Sequence, residues 1–114
     1  MVVLNDLIKD RARAAIAVVA RKARVRAGYV FGSQAEGTAN ELSDIDIAAF
    51  IEGAHELGLQ GRVRLGVEAR EKVGDDIEIH FFPAESLNNP PVASFAAYVL
   101  RHGVCFWEDR SRDH

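Results

Sequence analysis

The sequence predicts one small domain of the α+β class, a mixed α/β chain in which helices and short strands follow one another. Its 114 residues are the usual length of a single domain, so we treat 1–114 as one unit. Apolar residues recur with a helical period near the start of the chain and with the period of a strand in two later segments. The proportions, 48% hydrophobic and 27% charged, exclude a disordered or coiled-coil chain.

The first third of the chain predicts a helix, a strand and a glycine turn. Apolar side chains spaced three and four residues apart over 4–24 are typical of a helix with one buried face. The segment Val25–Phe31 is β-branched and aromatic, which favours a buried strand, and Gly32-Ser33 predicts a tight turn after it. Residues 33–43 are small and polar, so they predict a short helical turn followed by a loop.

The rest of the chain predicts three strands and two helices. Residues 44–51 and 77–82 alternate between apolar and other side chains, as a strand with one face in the core does. Between them, 55–73 predicts a helix that its three glycines weaken. A helix over 92–102, begun by Pro91 because proline suits the first helical position, precedes a short final strand.

Charge and cysteine content exclude several classes of protein. The formal net charge is −3, which argues against nucleic acid as a partner, and the basic residues of the first helix are expected to solvate its outer face. Charges interrupt the N-terminal apolar positions and no apolar run could span a membrane, so we expect a cytoplasmic protein without membrane contact. The single cysteine, Cys105, excludes an internal disulfide, and we expect it to be a small buried side chain.

Three carboxylates lie on strands whose alternate residues are apolar: Asp44 and Asp46 on one strand and Glu78 on another. Asp44 and Asp46 share one strand face, about 6.6 Å apart between Cα atoms, because each residue advances ~3.3 Å. Carboxylates held together repel unless a cation joins them, and their oxygens select hard ions such as Mg²⁺ or Mn²⁺. Two such ions could hold the attacking and leaving oxygens of a phosphoryl displacement.

The same residues also allow structural roles. Asp44 and Asp46 could cap a turn or pair with arginines of the first helix, and Glu78 could be a surface residue of an edge strand. His80 lies two residues beyond Glu78 on the same strand face. It either borders the site as a proton carrier or is a solvated, hydrogen-bonded histidine.

The turn at Gly32-Ser33 supplies a second part of the pattern. Backbone N–H groups at a strand-to-helix turn bind phosphate, and glycine permits close approach to the backbone. Ten residues separate Ser33 from Asp44, which gives Gly-Ser-x10-Asp-x-Asp between two apolar strands. Together the two parts predict a cleft shared by metal ions and nucleotide phosphates.

The segment YVFGSQAEGTANELSDIDIAAF resembles the signature of minimal nucleotidyltransferase domains of the DNA polymerase β superfamily, small prokaryotic proteins often paired with helical partners of the HEPN type. The acidic strand DDIEIHFF and the closing helix and strand are also similar to that family. The resemblance implies a small nucleotidyltransferase fold, with a mostly mixed or antiparallel four-stranded sheet flanked by helices.

The resemblance also implies an activity and its residues. Asp44, Asp46 and Glu78 would be catalytic and would hold Mg²⁺ or Mn²⁺, while Gly32 and Ser33 would bind the nucleoside triphosphate. The enzyme would transfer a nucleoside monophosphate, AMP from ATP, to a hydroxyl of a partner protein such as a HEPN-like toxin. The chain would then be a protein adenylyltransferase and an antitoxin, either alone or as a homo-oligomer.

One departure from the family pattern leaves a second function open. Relatives commonly have Gly-Ser-Arg-x-Arg-Gly, whereas Gln34 and Glu36 stand at the two arginine positions here. A glutamate near a polyphosphate adds repulsion. The alternative is therefore a binding module that keeps the fold, neutralises or scaffolds a partner protein, and has lost efficient turnover.

Overall fold

Helices and strands alternate along the chain in the computed structural model, which describes residues 4–37 and 44–109. A 3₁₀ turn, Ala84–Leu87, links the third strand to the last helix. The order of the other elements is α1 (Asp6–Ala20), β1 (Val25–Phe31), α2 (Ser33–Glu36), β2 (Ile45–Ile51), α3 (Ala54–Val73), β3 (Ile77–Pro83), α4 (Phe95–His102) and β4 (Val104–Glu108).

The four strands form one mixed sheet in the order β3-β2-β1-β4. Strand β1 pairs antiparallel with β2 and with β4, whereas β2 and β3 are parallel. A parallel pair needs a long crossover, which α3 supplies. The α+β class and the mixed four-stranded sheet flanked by helices are thus confirmed.

Both faces of the sheet are buried, which leaves little room for a polar residue on its central strands. On one face, α1 and α3 pack against Ile45, Ile47 and Ile51. On the other, α4 packs against Ala48 and Phe50. Within β2, every residue except Asp46 is buried. A half-buried carboxylate in such a strand is costly unless it has a partner.

The two long helices follow the predicted pattern with differences at their ends. Helix α1 starts behind Asn5, whose side-chain oxygen accepts a hydrogen bond from the N–H of Leu7 at 2.7 Å. It stops at Ala20, four residues before the predicted end, because the chain must extend to enter β1. In α3, Gly58 adopts φ 74° and ψ 171° and splits the helix at a kink. No helix of the described residues has both the length and the apolar character to cross a membrane.

Two expectations for the last segment are wrong. Helix α4 begins at Phe95 rather than at residue 92, because the Ser94 hydroxyl caps it by accepting a hydrogen bond from the N–H of Ala97 at 3.1 Å. Cys105 is exposed rather than buried. Strand β4 lies at an edge of the sheet, where only Phe106 of its five residues is buried.

Candidate active site

Two of the predicted carboxylates lie side by side on neighbouring strands. Asp46 of β2 and Glu78 of β3 are partners in the parallel register. Paired residues point to the same face of a sheet, and the strands are about 4.8 Å apart. His80, two residues beyond Glu78, points to that face as well.

Asp46, Glu78 and His80 form a compact cluster of donor atoms. One ligand atom from each of the three lies within 4.8 Å of the others. The Nε2 atom of His80 is 3.6 Å from Oε1 of Glu78 and 3.9 Å from Oδ1 of Asp46. The side chain of Asp46 is 26% exposed and that of Glu78 57%, so the cluster runs from the sheet surface outward to solvent.

Asp44 lies at the margin of this cluster. It is exposed, it directly precedes β2, and it is not one of the three clustered residues. Its charge nevertheless acts on Asp46, because it contributes to raising the pKa of that carboxyl. Within the described residues, Arg11 of α1 pairs elsewhere: its Nη1 and Nη2 atoms each donate to one oxygen of the Asp76 carboxylate at 2.6 Å.

The glycine-serine turn meets the cluster at Asp46. Gly32 has φ +74°, and a Cβ placed on it would lie 2.6 Å from Oδ2 of Asp46, so only glycine fits. Ser33 is the first residue of α2, and the N–H groups of Ala35 and Glu36 donate to the Gly32 carbonyl at 3.1 and 3.0 Å. The turn and the strand to which the sequence pattern assigns phosphate and metal binding are therefore adjacent in space.

The electrostatics of the cluster favour a cation. Burial raises the pKa of Asp46 above its ordinary value, and the neighbouring Glu78 carboxylate raises that pKa further. His80 acts in the opposite direction. A divalent ion would relieve this repulsion, and two carboxylate oxygens with one imidazole nitrogen are a donor set that binds such ions. The residues present therefore fit the metal that the family resemblance implies.

Aromatic rings border the cluster on the side of α4. The rings of Phe31 and Phe95 pack edge to face with the imidazole of His80, with centroids 5.2 and 5.7 Å away. Phe95 is 48% exposed. The sequence signal for His80 is its two-residue spacing from Glu78, but nothing in the sequence indicates that Phe95 is nearby, since it belongs to the next helix.

Glu36, which occupies an arginine position of the family pattern, is bonded to α4. Its Oε2 atom accepts a hydrogen bond from the Tyr98 hydroxyl at 2.5 Å. This hydrogen bond raises the pKa of Tyr98. The short helix after the glycine-serine turn is thus tied to the helix that carries Phe95.

A large hollow lies apart from this cluster. It measures about 930 Å³, and Arg26, Tyr29 and Glu52 are among its lining residues. None of the lining residues belongs to the glycine-serine turn or to the three clustered side chains. The hollow therefore adds nothing to the site built around Asp46.

Fold and site together define a nucleotidyltransferase domain. Residues 14–111 match the family described as polymerase beta, nucleotidyltransferase, and the chain belongs to that family. Among curated proteins, none matches the chain significantly.

Solved structures show the same fold. A candidate nucleotidyltransferase from Sulfolobus solfataricus is 20% identical with a TM-score of 0.62, over 89% of this chain and 80% of that one. A candidate minimal nucleotidyltransferase is 26% identical with a TM-score of 0.54, over 87% of this chain and 92% of the other. A toxin-antitoxin structure with AMP-PNP is 22% identical with a TM-score of 0.59, over 87% and 74%.

Proposed function

We propose that this protein is a metal-dependent nucleotidyltransferase that transfers AMP from ATP to a hydroxyl of a partner protein, as the antitoxin of a toxin-antitoxin pair. The contact between Gly32 and the Asp46 carboxylate carries the proposal, because it unites a phosphate-binding turn with a metal-binding strand. Family membership supports nucleotidyl transfer. The toxin-antitoxin structure with AMP-PNP supports ATP as the nucleotide and a toxin as the protein partner. That this partner is HEPN-like or another helical protein follows only from the family resemblance.

The residues of the site have distinct tasks in this reaction. Asp46 and Glu78 would hold Mg²⁺ or Mn²⁺, with Asp44 adding negative charge at the margin. When bound, the metal neutralises charge on the triphosphate and on the departing pyrophosphate. Gly32 and Ser33 would bind the phosphates through backbone N–H groups and the Ser33 hydroxyl.

Transfer requires one bond to form and one to break. The acceptor hydroxyl oxygen bonds to the α-phosphorus of ATP, and the bond from that phosphorus to the bridging oxygen of the β-phosphate breaks. Glu78, the more exposed of the two clustered carboxylates, takes the hydroxyl proton on the oxygen that does not hold the metal, and pyrophosphate leaves. Alignment and charge stabilisation supply most of the acceleration of such a reaction. We place it in the cytoplasm, where ATP is abundant.

Label transfer tests the proposal. ATP labelled at the α-phosphate is incubated with Mg²⁺ or Mn²⁺, this protein and the protein encoded beside it. We expect label on the partner, and a loss of about 100-fold or more for Asp46→Asn, because removing a metal-binding carboxylate removes transition-state charge stabilisation.

Glu52→Gln is the matched control for this assay. Glu52 is a carboxylate paired with Arg26 at 2.7 Å, away from the cluster, so its replacement should leave transfer unchanged. Undiminished label transfer by Asp46→Asn would contradict the proposed function.

A binding module is the second candidate, and two observations favour it. Glu36 stands where an arginine would attract phosphate, and its carboxylate accepts a hydrogen bond from the Tyr98 hydroxyl. On α3, Leu59, Val63 and Val67 form an exposed apolar row at helical spacing, and exposed apolar patches mark protein interfaces.

The two functions predict different effects of two variants on neutralisation of the partner. If the protein is a module, Asp46→Asn neutralises the partner fully, whereas Val63→Asp, which places a charge in the apolar row, does not. If it is an enzyme, neutralisation is lost with Asp46→Asn in step with label transfer.

A further inference from the structure

The site contains a nitrogen donor, His80, in addition to the three carboxylates that the family resemblance assigns to the metal. We propose that Nε2 of His80 is a direct ligand of the divalent ion, together with one carboxylate oxygen from each of Asp46 and Glu78, and that this donor set prefers Mn²⁺ to Mg²⁺. The inference deepens the proposed function, on which it rests for the presence of a metal at this cluster.

The spacing of the donor atoms supports direct ligation. Ligand atoms about 2.1 Å from one ion lie about 3 Å apart when adjacent in an octahedron and about 4.2 Å apart when opposite. The Nε2 atom of His80 is 3.6 and 3.9 Å from the carboxylate oxygens of Glu78 and Asp46, between those limits. All three donor atoms lie within 4.8 Å of one another, so side-chain rotation could bring them onto a single ion.

The imidazole is not committed to either carboxylate. Both distances exceed the 2.7–3.2 Å range of an N–H···O hydrogen bond, so His80 lies at ion-pair distance from two carboxylates without a hydrogen bond to either. A cation held by His80 and both carboxylates would therefore break no hydrogen bond between the imidazole and these carboxylates. Asp44, by contrast, is exposed and outside the cluster, so His80 takes the position that a third carboxylate would fill.

Packing against aromatic rings holds the imidazole in place. Phe31 and Phe95 contact the imidazole edge to face, with centroids 5.2 and 5.7 Å away. Beside it, the register partner of His80 on β2 is Ala48, which is small and buried. A ligand fixed by packing loses little conformational entropy when the ion binds.

The composition of the donor set decides the metal preference. Mg²⁺ takes oxygen ligands in a near-ideal octahedron, whereas imidazole nitrogen suits transition metals. One nitrogen and two carboxylate oxygens therefore shift the preference from Mg²⁺ toward Mn²⁺. A third carboxylate in place of His80 would shift it back.

Pulsed EPR of the full chain loaded with Mn²⁺ alone tests the inference directly. A nitrogen ligand gives ¹⁴N hyperfine modulation, which we expect in the wild type and in His55→Gln, where an exposed histidine of α3 is replaced. His80→Gln should lose the modulation and weaken Mn²⁺ binding about tenfold, with a smaller effect on Mg²⁺ measured by competition.

His80→Asp is the second variant, and it replaces the nitrogen donor with a carboxylate oxygen donor. It should bind Mn²⁺ without ¹⁴N modulation and should bind Mg²⁺ more tightly than the wild type does. Circular dichroism checks that both variants are folded.

The outcomes separate this inference from the proposed function. If Mn²⁺ binds and Asp46→Asn weakens it, but the wild type shows no ¹⁴N modulation or His80→Gln retains it, His80 is not a ligand and the proposed function stands. If Mn²⁺ does not bind the wild type with or without AMP-PNP, both fail.

Discussion

Gly32 and Asp46 are so close that a Cβ on residue 32 would lie 2.6 Å from Oδ2 of Asp46, and any side chain there would have to displace that carboxylate. The approach follows from the sheet, because Phe31, directly before Gly32, is the register partner of Asp46. The glycine of the Gly-Ser pattern therefore has a structural task in addition to the phosphate binding that we propose. It leaves room for the carboxylate that would hold the metal.

Replacing Gly32 with alanine should damage the site more than the fold. The new methyl group must displace the Asp46 carboxylate, so we expect Mn²⁺ affinity to fall about tenfold or more, by analogy with the loss of groups that orient metal ligands. The strained backbone should lower the free energy of unfolding by about 1–3 kcal/mol. Calorimetric Mn²⁺ titration and urea unfolding measure the two effects.

Gly58→Ala is the matched control for backbone strain. Gly58 has the same φ of 74° and a similar extended ψ, but a Cβ there meets nothing within 4 Å. It should lose comparable stability and keep Mn²⁺ affinity. Equal Mn²⁺ affinities in the two variants would show that the contact with Asp46 is irrelevant to metal binding.

Asp46→Asn should stabilise the protein when no metal is present. Burial and the Glu78 charge raise the pKa of Asp46, so its carboxylate is less favourable in the folded chain than in the unfolded one. Removing the charge should raise the free energy of unfolding at neutral pH by about 0.5–1 kcal/mol. Functional sites commonly lower the stability of a protein, and replacing their residues restores part of it.

With bound metal, the wild type should be more stable than Asp46→Asn. Saturating Mn²⁺ stabilises only a chain that binds it, so the wild type should then unfold at the higher urea concentration. Glu78→Gln should have a smaller effect on the metal-free protein, because its side chain is 57% exposed. A metal-free Asp46→Asn variant less stable than the wild type would contradict this account.

The Arg11–Asp76 pair should make the fold sensitive to acid. The hydrogen bonds from Arg11 lower the pKa of Asp76 below its ordinary value. A lowered pKa contributes stability above the unfolded value, about 3.9, and this contribution is lost as the pH falls through the lower folded value. Asp76→Asn should therefore cost about 0.5–1 kcal/mol at neutral pH, after screening of a partly exposed pair, and nothing in strong acid.

Urea unfolding between neutral pH and strong acid checks this dependence. Glu52→Gln is the comparison, since its pair with Arg26 is more exposed and the variant should lose less. A constant difference between the wild type and Asp76→Asn at every pH would exclude the ion pair as its cause.

The bond from Tyr98 to Glu36 should be visible in the ionisation of the tyrosine. Glu36 raises the pKa of Tyr98, so Glu36→Gln should shift tyrosinate formation to lower pH. The chain has two tyrosines, and burial raises the pKa of Tyr29 as well. Ultraviolet titration is therefore done in a Tyr29→Phe background, where an unchanged curve for Glu36→Gln would show that the hydrogen bond does not persist in solution.

The sequence predicts the strands better than the positions where they meet. β1 runs over Val25–Phe31 as predicted, and period-two alternation places Asp46 and Glu78 on one face each. Whether those faces coincide depends on the parallel register of β2 and β3, which follows from α3 and has no local signal. For the same reason, His80 could not be distinguished from a solvated histidine.

Other features could not be predicted because the local sequence offers two alternatives or does not show where a strand begins or lies in the sheet. Pro91 and Ser94 both suit the start of α4, and the structure uses Ser94 because its hydroxyl satisfies the N–H of Ala97. Asp44 shares its face with Asp46 by alternation, yet β2 begins only at Ile45, so strand geometry does not extend to it. Cys105 looks apolar in composition, but an edge strand buries few of its residues.

The alternation in β3 has a further consequence for how the site is maintained. Ile77, which is 1% exposed, and Ile79 lie on the opposite face from Glu78 and His80. A slip of one residue would move both isoleucines to the more exposed face of β3 and turn both polar groups into the core, so a misplaced pair of proposed metal donors would also disrupt the core. The burial of Ile77 and Ile79 thus fixes the face of β3 on which Glu78 and His80 lie.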